Sequence, residues 1–566
     1  MTTAATHPWM KSYPEDVDWH APVPAAPLYD LLDQAVKKFS DRPAIEFMGR
    51  RYNYAELGKL TDRAAKGLQS LGVTKGTKVG LMLPNCPAFV IGYYGALKAG
   101  ATVVNINPLY AEGEIKELIG DADIDVIITL DLSALYDKAA KMLGTTRLKR
   151  LVVCSLSEQL PLLKGLLFRI ARRKAIAQTP RNERHTAFAT LLANDGAPVR
   201  HSCDPKKDIA VLQYTGGTTG LPKAAMLTHA KVYGNAHQSL RHFPLTKPGA
   251  EIMLGVLPLF HVFAMTVCMN FSILAGALVV LLPRFEIDKV LKTIERKRPT
   301  FFPAVPTMFI ALNNHPDVIS KKRDLSSINI CLSGGAALPR EVQETFEKLS
   351  GCKIAEGYGL SETSPVACCN PTTAPSRSGS LGLPVPGTII EITSIDEPER
   401  VLAQGERGEI CITGPQVMLG YWKRSEESER ALLGGRFHTG DVGYIDPDGF
   451  VFLIDRLKEI ILSGGYNVYP RHVEEAIYKH PAVKEVTVIG VPDTYRQESA
   501  KAFVKLADGQ SLTAEALLEF LKDKLSPIEM PKHVEFRKEL PKTMIGKLSK
   551  KELIAEERKK SQTKAS

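Results

Sequence analysis

The sequence has no CxxC pair. Its nine cysteines are scattered over 566 residues, which suits neither a zinc site nor a disulfide framework. It also lacks an apolar run at its start: Met1 to His20 carries Glu15, Asp16 and Asp18. No secretory leader is visible, so a reducing cytoplasm is expected. Aromatics are sparse, and none interleave regularly with the cations of the basic tail, where +6 of the net +10 lies between Pro531 and Ser566. A nucleic-acid footprint is therefore set aside in favour of a solvated face that tolerates small polyanions. Acids are missing altogether from 160–177, and formal charge from Val262 to Leu282.

What is present is enough apolar residue (44%) to fill large cores and enough charge (24%) to cover them. The length exceeds one ordinary core, so two or more domains are expected. The 21 uncharged residues from Val262 could span a bilayer on paper, but Asn270, Ser272 and Gly276 interrupt them. They read instead as a buried helix–strand unit. In 160–177, Leu163, Leu166, Leu167 and Ile170 share one helical face beside Lys164, Arg169, Arg172, Arg173 and Lys174. That composition fits an interfacial helix on anionic lipid, or equally a surface helix packed on its own domain.

Along the chain, 27–41 has helical spacing and 44–54 reads as a hairpin about Met48–Gly49. Helices at 55–72 and 87–98 alternate with apolar runs at 78–83, 102–106, 124–129 and 150–154. Strands alternating with helices predict an α/β fold with a mostly parallel, helix-covered sheet, whose ligands sit beyond the carboxyl ends of the strands. From Ile389 short strands and turns suggest a β-rich subdomain to about residue 454. A compact α+β unit follows. The expected division is a large domain 1–454, a hinge 455–458 and a small mobile domain 459–566.

The stretch Thr215-Gly-Gly-Thr-Thr-Gly-Leu-Pro-Lys223 follows a short apolar strand. Its glycines can turn backbone N–H groups toward an anion, its threonines add donors, and Lys223 adds charge, so it reads as a phosphate cradle. It is not a Walker A loop, because Pro222 precedes the lysine and Ala224 follows it.

Four further motifs follow in order: Gly357-Tyr-Gly-Leu-Ser-Glu-Thr363, Thr439-Gly-Asp441, Asp455 to Pro470, and Pro541-Lys-Thr-Met-Ile-Gly-Lys547. With them the chain resembles the adenylate-forming superfamily of acyl- and aryl-CoA synthetases, most closely the bacterial medium- and long-chain fatty acid–CoA ligases. The resemblance covers nearly the whole chain. It implies ATP, Mg²⁺ and coenzyme A, and formation of acyl-AMP followed by acyl transfer to the thiol.

It also implies roles. Thr215, Gly216, Gly217, Thr218, Thr219, Gly220 and Lys223 would hold the β- and γ-phosphates. Glu362, with Thr215, would hold the magnesium ion. Gly357, Tyr358, Gly359 and Ser361 would form a tight aromatic loop against adenine, and Gly334, Gly335 and Ala336 a loop between adenine and the acyl tunnel. Asp441 would accept the ribose hydroxyls, with Arg456 beside it. Lys547 would bridge carboxylate and α-phosphate, Lys458 would be the hinge, and Ser463, Gly464 and Gly465 would line the thiol channel. His261 would guide the acyl carboxylate, with Met265 where relatives place an aromatic gate.

Rival readings are a ligase for dicarboxylic or aryl acids, and a catalytically silent, nucleotide-regulated membrane-binding protein. Peripheral contact with an anionic membrane through 160–177 is kept open, as is the oligomeric state, with a homodimer among the options.

Overall fold

The computed structural model describes residues 7–180, 182–215, 222–373, 377, 379–464, 466–493, 495–543 and 546–565. Among these residues the strands form four sheets. One runs in space from His185–Ala187 through Arg150–Cys154, Ile124–Leu130, Lys78–Met82, Thr102–Asn105 and Ile209–Tyr214 to Ala224–Thr228. Every neighbouring pair is parallel except the last. The strands are buried almost end to end, as a sheet covered on both faces requires.

The cover is built from close-packed helices. In Pro87–Lys98 every residue but the terminal lysine is buried. Gly95 lets this helix approach Tyr54–Ser70, since a Cβ there would lie 2.6 Å from that of Ala64. The second helix starts where the Asn53 side chain accepts the Glu56 N–H at 2.7 Å, a side-chain cap.

A larger mixed sheet holds Ile252–Gly255, Leu278–Leu281, Phe301–Ala304, Ile330–Gly334 and Lys353–Gly359 in parallel, with antiparallel strands at both edges. The expected hairpin supplies one edge. Met48 (φ +50°) and Gly49 (φ +102°) make the tight turn between Pro43–Phe47 and Arg50–Asn53.

The Val262–Leu282 run is buried helix then strand, as its polar interruptions suggested. Residues Ala264–Asn270 wind as a π-helix that the sequence did not signal. Among the described residues no helix is long and apolar enough to cross a membrane.

Strands Ile389–Thr393, Gly408–Thr413, Phe437–Ile445 and Val451–Arg456 form the antiparallel β-rich part. Beyond it, a small sheet of 461–536 has its own apolar core of Ile461, Val473, Ile477, Val504, Leu517 and Leu521. Helix Leu162–Ala171 seats its Gly165 against the Ser157 carbonyl and turns its leucines outward. The helix therefore packs on its own domain through Gly165 and Phe168, while its leucines stay outside that contact.

Candidate functional site

Asp441 pairs across the β-rich sheet with Arg456, so strand register brings acid and guanidinium together. Tyr358 donates its hydroxyl to Asp441 Oδ2 at 2.6 Å, and Arg456 Nε lies 3.2 Å from Oδ1. Burial pushes the Asp441 carboxyl up, while Arg456 and the Tyr358 hydroxyl pull it back. The turn before Asp441 is clamped from beneath. Gly440 (φ +72°) donates its N–H to Glu409 Oε1 at 2.8 Å, and His438 Nδ1 meets Glu409 Oε2 at 2.8 Å. Sequence reasoning did not single out Glu409; it stands in a strand interior and has no local signal.

Tyr358 corrects one expectation. Gly357, Tyr358 and Gly359 are not a loop but the end of strand Lys353–Gly359, paired antiparallel with Val366–Cys369. Gly359 serves that pairing, because a Cβ there would collide with the Pro365 carbonyl. The turn comes afterwards, at Ser361–Thr363.

That turn buries Glu362. Its Oε1 accepts the Tyr421 hydroxyl at 2.8 Å, and its backbone carbonyl accepts the Met418 N–H at 2.7 Å. Burial raises the carboxyl pKa and the Tyr421 hydrogen bond opposes it. Lys223 Nζ stands 5.0 Å from the centre of the same tyrosine ring. Thr215 donates its N–H to the Lys223 carbonyl at 2.8 Å, closing the base of the Gly/Thr loop. Gly216, Gly217, Thr218, Thr219 and Gly220 lie outside the described residues, as does Gly465. Tyr421, which links Lys223 to Glu362, was missed. Its one signal was an aromatic pair, Tyr421-Trp422, in a chain with three tryptophans. A carboxylate such as that of Glu362 and a hydroxyl such as that of Thr215 are oxygen donors of the kind a hard divalent cation such as Mg²⁺ takes.

Lys547 enters this centre from the small unit. Its loop closes on itself, with the Thr543 N–H donating to the Lys547 carbonyl at 2.6 Å. It is tied to the large body by Thr307 Oγ1 donating to the Gly546 carbonyl at 2.8 Å. The lysine side chain crosses Gly335 (φ +86°), where an added Cβ would lie 2.8 Å from Lys547 Cε. Gly334 faces the ring of Phe263, 3.0 Å from where its own Cβ would stand, and Ala336 continues the turn outward. Lys547 keeps some solvent access, yet protein surrounds its ammonium. Burial, then the Arg456 charge, lowers its pKa to about 8, with Asp441 opposing.

His261 is close enough to feel that ammonium. Burial first and Lys547 second depress its imidazole to about 3, so it is neutral. Its Nδ1 accepts the Phe263 N–H at 3.3 Å. Met265, fully buried on the π-helix, accepts a hydrogen bond at Sδ from Asn105 Nδ2 at 3.3 Å.

The remaining expected residues sit apart. Lys458 lies in the turn Leu457–Glu459 between the β-rich sheet and the small one. Ser463 is buried, and Gly464 (φ +57°) donates its N–H to the Arg496 carbonyl at 2.7 Å. Among the described residues no hydrogen bond or ion pair joins Lys458, Ser463 or Gly464 to Asp441, Glu362 or Lys547. Nearby, Asp455 Oδ2 accepts the Arg471 N–H at 2.8 Å. Arg471 also faces Glu356, whose burial raises its carboxyl to about 7 against the pull of that arginine.

Residues 32–422 match the AMP-binding enzyme family, and residues 472–547 match the AMP-binding enzyme C-terminal domain. The chain is 44% identical over 555 residues to a long-chain-fatty-acid–CoA ligase of Bacillus subtilis (strain 168), covering 97% of this chain and 98% of the relative. It is 36% identical over 564 residues to a long-chain-fatty-acid–CoA ligase of Escherichia coli O157:H7, covering 98% and 99%. Among solved structures, ATP-bound MatB from Rhodopseudomonas palustris superposes with a TM-score of 0.81 at 26% identity, covering 93% of this chain and 98% of that one. The anthranilate CoA ligase AuaEII in complex with anthranoyl-AMP superposes at 0.83 with 25% identity, covering 95% and 98%.

Proposed function

The chain belongs to the AMP-binding enzyme family and is a fatty acid–CoA ligase, and from that premise we propose which groups carry each step. The observation that supports the assignment is the docking of Lys547 beside Asp441, Arg456 and His261.

The substrates are a medium- or long-chain acid, ATP and coenzyme A. Asp441 Oδ1, which makes no hydrogen bond among the described residues, accepts a ribose hydroxyl. Tyr358 and Arg456 hold the carboxylate still for it. Thr215, Lys223 and the intervening Gly216 to Gly220 take the β- and γ-phosphates. Glu362 and Thr215 hold Mg²⁺, which when bound offsets negative charge on the phosphates. The two reacting anions repel each other, so a buried cation lowers the barrier most where their charges meet. Lys547 is that cation. A carboxylate oxygen attacks the α-phosphorus, the bond to the β-phosphate oxygen breaks, and pyrophosphate leaves. His261, being neutral, orients the acid by hydrogen bonding without adding charge.

The thiol must then reach the acyl carbonyl that Lys547 covers. The division into 1–454, a hinge at 455–458 and 459–566 serves this step. Rotation at Lys458 withdraws Lys547 and brings Ser463, Gly464 and Gly465 to the thiol. Sulfur attacks the carbonyl carbon, the C–O bond to phosphate breaks, AMP leaves and the thiol proton is released. Met265 closes the acyl end of the pocket. A cytoplasmic protein touching an anionic membrane through 160–177 belongs to the same reading, and the outward leucines there support it.

The test is acid-dependent exchange of pyrophosphate into ATP, followed by acids from acetate to oleate, with pimelate and benzoate, scored as acyl-CoA by mass. Exchange with no acid, or product from pimelate or benzoate in preference to the fatty acids, would overturn the assignment.

A further inference from the structure

A lysine in a basic C-terminal segment is ordinarily solvated, and an ion pair made there contributes little. Lys550 departs from this. Its side chain is 16% exposed, and its Nζ lies 2.9 Å from Glu459 Oε2 and 3.3 Å from Glu474 Oε1. Burial alone would lower the pKa of this amine, but Glu474, Glu459 and Asp455 outweigh it and raise the value, so the cation is held charged.

The two partners belong to different parts of the small unit. Glu459 closes the turn Leu457–Glu459, directly after Lys458. Glu474 lies on helix Pro470–Tyr478 and also accepts the Val488 N–H at 2.8 Å, which fixes it to the small sheet. Lys550 itself stands three residues beyond Lys547. It follows Ser549, whose N–H donates to the Pro541 carbonyl at 2.9 Å and closes the lysine loop. One ammonium therefore joins the turn that holds the hinge candidate, the body of the small unit and the loop that carries Lys547. The other end of that loop is tied elsewhere: Lys542 Nζ lies 2.6 Å from Glu485 Oε1, on strand Val483–Asp493.

Stability alone is a poor reason for such a cluster. Packed apolar side chains often replace a buried ion pair without loss, and the best-attested use of one is to fix a single arrangement among several. Here the arrangement fixed is the pose of the lysine loop relative to the hinge. That pose matters, because a catalytic cation displaced by about 1 Å can lose two orders of magnitude in rate. The Thr307 hydrogen bond to the Gly546 carbonyl steadies the loop against the large body, but it does not reach the hinge.

We propose that, on the reading of Lys547 as the adenylating cation and Lys458 as the hinge, Lys550 is a positioning residue for adenylation. Through Glu459 and Glu474 it couples the hinge turn to the lysine loop, so that the small unit delivers and withdraws Lys547 as one rigid piece.

The experiment uses the full chain in two assays with dodecanoate: acid-dependent pyrophosphate exchange, and conversion of supplied dodecanoyl-AMP to acyl-CoA. Lys550→Met keeps the side-chain length and removes the charge. Its kcat for exchange should fall roughly 10- to 100-fold, with KM for ATP moved by less than about twofold, because the nucleotide contacts lie on the large domain. Transfer from supplied acyl-AMP should fall far less. Lys550→Arg, whose guanidinium can still bridge two carboxylates, should recover most of the exchange rate. Glu459→Gln should slow exchange in the same selective way, and adding it to Lys550→Met should slow exchange no further.

Equal losses in both half-reactions overturn the positioning role, since Lys550 then only holds the small unit together. So does an unchanged exchange rate in Lys550→Met, or a double variant whose losses multiply. Where Lys550→Met does not fold, Glu459→Gln decides: selective loss of exchange upholds the role, and unchanged exchange overturns it. Lys547→Ala runs alongside. Exchange retained by that variant removes the reading of Lys547 and the role of Lys550 with it. An inactive Lys547→Ala beside a fully active Lys550→Met overturns the role of Lys550 alone.

Discussion

Tyr358 and Asp441 come from different sheets and meet at 2.6 Å, hydroxyl to Oδ2, which leaves Oδ1 of a buried carboxylate without a hydrogen bond among the described residues. Arg456 Nε lies 3.2 Å from that oxygen, which is the acceptor proposed for the ribose hydroxyl. Asp441→Asn removes the charge that Arg456 faces and turns one acceptor oxygen into an NH₂ donor. A hydrogen bond to a charged group contributes about 1.5–3 kcal/mol, so KM for ATP in pyrophosphate exchange should rise roughly 10- to 100-fold. Tyr358→Phe should cost less, because it loosens the carboxylate without removing it. Equal KM values for the unmodified chain and Asp441→Asn would count against the ribose role.

In the proposed role Lys547 acts only while protonated. With its pKa lowered to about 8 by burial and Arg456, kcat/KM for adenylation should fall as pH rises through that region. Lys547→Arg, whose cation persists to far higher pH, should lose that limb whatever its absolute rate. Lys547→Ala should abolish acyl-AMP formation yet still convert supplied acyl-AMP to acyl-CoA. His261 should add no limb between pH 5 and 7, because its imidazole titrates near 3.

Glu362 must be ionised to hold a cation, and burial already raises its pKa against the Tyr421 hydroxyl. Tyr421→Phe removes the opposing hydrogen bond, so the pKa should rise further. The Mg²⁺ concentration for half-maximal exchange should then increase, more at pH 6 than at pH 8. An effect equal at both pH values would show that Tyr421 acts otherwise.

Lys458 lies in the turn between the β-rich and small sheets. Lys458→Pro fixes φ there, at about −65°. Acyl-AMP formation should persist, while transfer to coenzyme A slows by an order of magnitude or more. Rapid-quench measurement of the two half-reactions separates these outcomes, and intact transfer would refute the hinge.

Glu356 has its carboxyl pKa raised by burial to about 7. In the folded state it keeps a proton that the unfolded chain releases near pH 4.5, so its contribution to stability falls as pH rises from about 4.5 to 7. Glu356→Gln keeps an acceptor for the Leu338 N–H and removes that loss. The variant should melt about 2–4 °C higher than the unmodified chain at pH 8, and at the same temperature at pH 5, by differential scanning fluorimetry.

Local patterns were the legible part. Alternating apolar runs announced four strands of the first sheet, at 78–83, 102–106, 124–129 and 150–154, with the helices at 55–72 and 87–98 between them, and Met48–Gly49 marked its own hairpin; most strands of the larger sheet went unread. Taken alone, Asp441 reads as a turn residue and Lys547 as one of several lysines in a basic tail; the motif residues Asp441, Glu362 and Lys547 stood out through the resemblance of their motifs to the family's. Their supports did not. Tyr421, Glu409 and Asn105 stand in strands or turns with ordinary neighbours, and each acts across a gap in the chain that no local pattern spans. The Gly357–Gly359 stretch misled for a related reason: two glycines read as a loop, yet Gly359 is what lets a strand pass close to Pro365.

Composition and apolar periodicity by themselves pointed to the fold class, and the order of the motifs carried the family resemblance from which the chemistry was expected. They did so because backbone freedom, charge and apolar periodicity are properties of neighbouring residues. Tertiary structure alone decided that Lys547 lies near Asp441 and His261, that Tyr358 hydrogen-bonds Asp441, and that the leucines of 162–170 face outward. Those outcomes depend on strand register and packing between segments distant in the chain, where a one-residue shift would turn each side chain away.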